Sequence, residues 1–105
     1  MKYLAPALIF VAVVFEVVAD IFFKKWALAE GKVFLAVGLV LYFVGTVIWA
    51  YSLKFEDLSK AIVVFVVLNL ILAVLAGAYL FGETLTTMQK LGVALGILSV
   101  VLLEL

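Results

Sequence analysis

The chain has 105 residues, of which 70% are hydrophobic and 13% are charged, and its mean hydropathy is +1.48. A water-soluble domain could not bury so large a share of apolar side chains, so the composition predicts an integral membrane protein. Seven acids balance seven lysines and there is no cysteine or histidine, so we expect no nucleic-acid partner, no enzyme, no cofactor and no metal site.

The first of four apolar runs spans about residues 3–23 and ends at Lys24 and Lys25. Its length suits a membrane-spanning helix, which needs about 20 mostly apolar residues. Although it begins like a signal peptide, it lacks a small-residue cleavage region and contains two acids. We therefore interpret it as a retained helix.

The other three runs follow after short polar breaks, at about 33–53, 58–81 and 88–105. Thr86 or Thr87 is suited to cap the last of them. Because each break is short, consecutive helices should be antiparallel neighbours. The sequence thus predicts an all-α membrane protein with four transmembrane helices, packed as a bundle in one domain that spans residues 1–105.

Two acids lie one helical turn apart within the first run, in "FEVVADIFFKKW". Asp20 has either a functional role or an ion pair with Lys24 at the i, i+4 spacing. Glu16 lies deeper in hydrocarbon, where an ionised carboxylate costs at least about 2.5 kcal/mol. An apolar environment favours the neutral carboxyl group. We therefore expect Glu16 to bind a proton and to release it when a cation arrives.

The glutamate in the first helix, the lysine eight residues later, "WAYSLK" and "FGETL" together resemble the small multidrug resistance family of the drug/metabolite transporter superfamily. The resemblance implies a homodimeric exporter in a prokaryotic inner membrane. It also implies that Glu16 binds substrate and protons, that Lys24 faces a loop, and that Tyr42 lies in the substrate pocket.

The third helix departs from the family pattern. Ile62 and Phe65 stand where the family has a pocket tyrosine and tryptophan, 67–69 replaces a glycine-containing motif, and Asp57 replaces a loop proline. Phe65 either offers an aromatic face to a cation or packs against other helices. Lys60 either extends to the headgroups or pairs with one of the two acids of the first helix.

Small and polar residues in the last two helices suggest contacts between helices. Asn69, central in the third helix, is expected to bond another helix rather than a ligand. Gly92 and Gly96 form a GxxxG pattern, which together with the family resemblance predicts a dimer contact.

The lysines give little indication of orientation. The side of the membrane that carries the termini has three lysines and the other side has four, namely Lys24, Lys25, Lys32 and Lys90. Either a small bias fixes one topology, or the chain inserts both ways and forms an antiparallel homodimer.

The sequence therefore predicts proton-coupled export of small cationic or amphipathic compounds by a homodimer that is surrounded by membrane lipid. Glu16 would exchange proton for cation, Asp20 and Lys60 would adjust its charge state, and Tyr42 and Phe65 would shape the pocket. The alternatives are a transporter of a lipid-linked sugar or polyamine, and a helical membrane subunit that transports nothing.

Overall fold

A computed structural model of the chain describes residues 4–28 and 30–104, with residue 104 described by its backbone only. These residues form four α-helices joined by short links, which confirms the predicted helical class and the number of helices. The helices are α1 (Leu4–Ala27), α2 (Lys32–Ser52), α3 (Leu58–Leu80) and α4 (Thr87–Glu104).

The predicted end of the first helix was wrong by four residues, because α1 continues to Ala27. Lys24 and Lys25 form part of its last turn. Lysine is a good helix former, and its charge is favourable near the negative end of the helix dipole. The other boundaries agree within one residue wherever the chain is described; Tyr3 and Leu105 lie outside the described residues.

Three helices, α1, α2 and α3, are long and apolar enough to cross a membrane. The apolar stretch of α4, Thr87–Leu103, is shorter. At a rise of 1.5 Å per residue α4 is about 27 Å long, close to the roughly 30 Å thickness of the hydrocarbon core. A fourth membrane span is therefore still a prediction.

The start of α4 is fixed by a reciprocal pair of hydrogen bonds. The backbone N–H of Gln89 donates to Oγ1 of Thr86 at 3.1 Å, and the backbone N–H of Thr86 donates to Oε1 of Gln89 at 2.9 Å. This capping box pairs two donors that the helix itself leaves free. Of the two threonines that were candidates for the cap, Thr86 is the one that serves.

The helices form a layer, and the predicted bundle of consecutive antiparallel neighbours was wrong for α2 and α3, because α1 lies between them. Helix α1 packs between α2 and α3, and α4 packs chiefly against α3, so the molecule measures 43 × 34 × 16 Å. In lipid no hydrophobic force gathers the helices into a globule, and close packing forms where side chains are small. One face of α1 and α3 provides the buried core: Ile9, Val13, Val17, Ala61 and Val64.

Candidate functional site

A pocket of about 380 Å³ opens at the level of Glu16, where three helices meet. Three residues that the sequence singled out, Glu16, Tyr42 and Phe65, contribute to its wall. Each comes from a different helix, so the fold brings together groups that are far apart in the chain. The full lining is Glu16, Tyr42, Thr46, Trp49, Ile62, Phe65 and Val66.

Gly45 of α2 sets the position of Glu16. Gly45 is buried, and a β-carbon there would lie 3.1 Å from Cγ of Glu16 and 3.2 Å from the backbone oxygen of Ala12. The missing side chain allows the backbone of α2 to approach α1 closely at this level. The helix-packing contact and the candidate site therefore coincide.

A second glycine, Gly38, allows the same approach two turns earlier in α2. A β-carbon at Gly38 would lie 2.7 Å from Cε1 of Phe23. The sequence interpretation missed both glycines and considered only the pair in α4. The seven-residue separation of Gly38 and Gly45 was the available signal, since it places them on one face of a helix.

Aromatic rings form much of the pocket wall. The ring centroids of Trp49 and Phe65 are 4.8 Å apart with planes at 58°, which joins α2 to α3. Tyr42 is 6.5 Å from the ring of Phe23 on α1. Trp49 was not among the predicted site residues, although it follows Tyr42 by seven residues and so shares its helix face. The three pocket aromatics offer faces that attract cations.

The carboxylate of Glu16 has no hydrogen-bond or ion-pair partner among the residues that the structure describes. The nearby hydroxyl of Thr46 donates to the backbone oxygen of Tyr42 at 2.9 Å. The Thr46 hydroxyl therefore donates its hydrogen bond within α2 and not to Glu16. Glu16 keeps its charge or its proton available for a ligand.

Asp20 lines a different, smaller pocket of about 140 Å³ between α1 and the end of α3. Lys24 also lines this pocket, but its Nζ lies 3.5 Å from Oε2 of Glu83. Within the described chain Lys24 thus pairs with a loop carboxylate. The Asp20–Lys24 pair that the i, i+4 spacing suggested does not form there. Glu83 approaches closely because Gly77 carries no side chain: a β-carbon there would lie 2.5 Å from Oε1 of Glu83.

Lys60 lies in the first turn of α3, whereas Asp20 lines a pocket with residues near the end of that helix. Its Nζ is 3.7 Å from Oε2 of Glu56, one turn earlier. Ala61, the next residue, belongs to the same buried cluster as Val13 and Val17 of α1. The structure does not bring these two residues together within a protomer.

The glycines of α4 have different surroundings. A β-carbon at Gly96 would make ordinary contacts, at 3.8 Å, with Val67 of α3, whereas one at Gly92 would meet nothing within 4 Å. Gly96 therefore faces the protomer's own α3. Gly92 leaves room for a neighbour, and its predicted dimer contact stays a prediction.

Comparison with known families assigns the chain to a class of transporters. The model of the EamA-like transporter family matches residues 3–105. The chain belongs to this family. EamA-like proteins are part of the drug/metabolite transporter superfamily, and they are transporters rather than enzymes. The resemblance drawn from the sequence is thus confirmed at the level of this superfamily. No curated protein and no solved structure matches the chain significantly.

The chain is accordingly an integral membrane protein, and its family indicates the transport of small compounds. Within that assignment, the finer resemblance to small multidrug resistance proteins is still a prediction. The Glu16 pocket is the candidate site at which this EamA-like protein would bind its substrate.

Proposed function

We propose that this EamA-like protein exports small cationic or amphipathic compounds in exchange for protons, as a homodimer in a prokaryotic inner membrane. The observation that supports this proposal best is the Glu16 carboxylate, which has no partner in the described protomer and lies among three aromatic side chains. Such a pocket combines one negative charge with apolar, cation-attracting walls.

A single carboxylate is sufficient to couple two fluxes. Glu16 binds either a proton or a cation, and a site in which both ligands compete for one group exchanges one for the other. The rings of Tyr42, Trp49 and Phe65 add roughly 0.5–2 kcal/mol to the binding of a cation that lies over a ring face. A proton bound to the carboxylate gains nothing from the rings, so the aromatic wall favours the organic cation.

The layered fold supports a dimer. Because the protomer is only 16 Å thick, the Glu16 pocket is open on one side, and Tyr42 and Val66 are 47% and 55% exposed. A second protomer facing this side would enclose both Glu16 residues in a shared chamber. In an antiparallel pair the two halves exchange conformations, which opens the chamber to each side of the membrane in turn.

The antiparallel arrangement also gives Asp20 and Lys60 a role. It places Lys60 of the partner subunit at the same membrane face as Asp20, which one protomer alone does not. In this arrangement their charges adjust the field around the chamber, while Glu16 does the exchange.

The direct test uses the purified protein in liposomes that contain a pH-sensitive dye. An inward gradient of a lipophilic cation at equal pH should drive proton exit, so the pH inside the liposomes should rise. Glu16→Gln should abolish the rise because the amide exchanges no proton. The matched control is Glu30→Gln, the same chemical change at an exposed residue of a link. Cation entry without proton movement, or a full response from Glu16→Gln, would refute proton coupling through Glu16.

A further inference from the structure

Asn69 in the middle of α3 has an unpaired hydrogen-bond acceptor. Its Oδ1 atom is buried and has no hydrogen-bond partner among the described residues. A buried acceptor without a donor is destabilising, and most such atoms in proteins are paired. The bond to another helix that the sequence suggested is not found within the described protomer.

The position of Asn69 relates it to both acidic pockets. It follows Phe65 by four residues and precedes Ala73 by four, so the three lie along one face of α3. Phe65 lines the Glu16 pocket and Ala73 lines the Asp20 pocket. On the facing helix, Glu16 and Asp20 are one turn apart, with β-carbons separated by roughly 5–6 Å. Asn69 therefore lies one turn from a wall residue of each carboxylate pocket, although it lines neither of them in the protomer.

We propose that Asn69 is a substrate-binding residue whose Oδ1 accepts an N–H bond from a cation held by Glu16, so that the site selects protonated amines and related N–H cations over quaternary ammonium ions. This inference rests on the function proposed above and specifies its substrate class. It assigns a role to a residue at which the chain departs from the family it resembles.

The chemistry of the three oxygen-bearing groups supports this selectivity. Ionised Glu16 and Asp20 accept hydrogen bonds only, and the amide oxygen of Asn69 adds a third acceptor. A protonated amine carries up to three N–H donors, whereas a quaternary ammonium ion carries none. Sites built to bond a particular hydrogen reject analogues that lack it, because the acceptor is then left unpaired.

The amide can present its oxygen without movement of the backbone. The last torsion of an asparagine side chain has a broad energy profile, so its oxygen can turn to a ligand that arrives from either pocket. A hydrogen bond from a charged donor is stronger than one between neutral groups. We therefore expect the bond to change relative affinity by about tenfold.

The test compares two cations that differ in their N–H bonds, benzylammonium and benzyltrimethylammonium. Their binding to the purified full chain in nanodiscs is measured by calorimetry at a pH at which both are charged. Asn69→Leu removes the acceptor and keeps the branching at Cγ, and Asn69→Ala is the second, smaller variant if the first does not fold. Ser99→Ala is the control, since it removes a polar group from exposed α4.

In the wild-type chain benzylammonium should bind about tenfold more tightly. Asn69→Leu should bring the two affinities together by weakening benzylammonium alone, and Ser99→Ala should keep the preference. Equal weakening of both ligands, or an unchanged ratio, would show that Asn69 is structural and overturn the inference. If binding still requires Glu16 in that case, the proposed function stands. If neither cation binds, or if Glu16→Gln binds both as well as the wild type, the proposed function fails and the inference fails with it.

Discussion

A β-carbon added at Gly45 would lie 3.1 Å from Cγ of Glu16, so the close approach of α2 to α1 depends on the absence of a side chain beside the candidate proton site. The same β-carbon would lie 3.1 Å from Cβ of Phe15. Helix packing and the placement of the carboxylate are therefore one structural feature. A change at Gly45 should affect both.

We predict that Gly45→Ala reduces Glu16-dependent transport and that Gly45→Val reduces it further. Overpacking a close contact typically costs about 1–3 kcal/mol, and here α2 must move away from α1, which shifts Glu16 relative to the rest of the pocket. Transport and thermal stability should be measured together in the purified variants. Ala36→Val is the control, because Ala36 is exposed on the same helix. Full transport by Gly45→Val would show that the contact does not position Glu16.

The helices themselves were largely predictable from the sequence. Runs of apolar residues determine where a membrane helix begins and ends, so most boundaries agree within one residue. The error at α1 arose because Lys24 and Lys25 were treated as breaks. Lysine side chains extend to the membrane surface while their backbone stays helical.

Which helix faces meet was much less predictable. In soluble proteins the apolar face turns inward, but these helices are apolar on every side, so hydrophobicity does not indicate which face packs. Trp49 was missed for this reason. Small residues carry the packing signal in membranes, and Gly38 and Gly45 were overlooked because the familiar GxxxG spacing directed attention to α4.

Competition between proton and cation predicts a pH dependence of binding. If both ligands use the Glu16 carboxylate, cation affinity should fall as the pH is lowered, by at most about tenfold per pH unit for one proton. Calorimetry in buffers of different ionisation enthalpy would also count the protons released. Glu16→Gln should show weak binding that does not depend on pH. A cation affinity that is constant between pH 5 and 8 in the wild-type chain would contradict this exchange.

The ion pair between Lys24 and Glu83 should contribute little to stability. Its side chains are 45% and 55% exposed and the two atoms are 3.5 Å apart, and exposed pairs typically contribute about 0–1 kcal/mol. We predict that a double-mutant cycle with Lys24→Met and Glu83→Gln gives a coupling energy in that range at low salt and a smaller one at high salt. Lys90→Met with Glu83→Gln is the control pair. A coupling above about 2 kcal/mol would mean that the pair is desolvated in the assembled protein.

The near balance of lysines predicts that the chain inserts in both orientations. The side with the termini has three lysines and the other side has four, and orientation follows the lysine bias of short loops. The chain contains no cysteine, so Glu30→Cys provides a unique label in an exposed link. A reagent that does not cross the membrane should label roughly half of the copies from each side. Labelling from one side only would rule out the antiparallel homodimer.

A biased pair of variants tests whether both orientations are needed for transport. Glu30→Lys with Thr84→Lys would raise the count on the more basic side from four to six, and Phe55→Lys with Asp57→Lys would favour the reverse orientation. All four residues are exposed in links between helices. We predict that each double variant is inactive alone, because only parallel dimers would form, and that co-expression of the two restores transport. Full activity of either variant alone would show that a single orientation is sufficient.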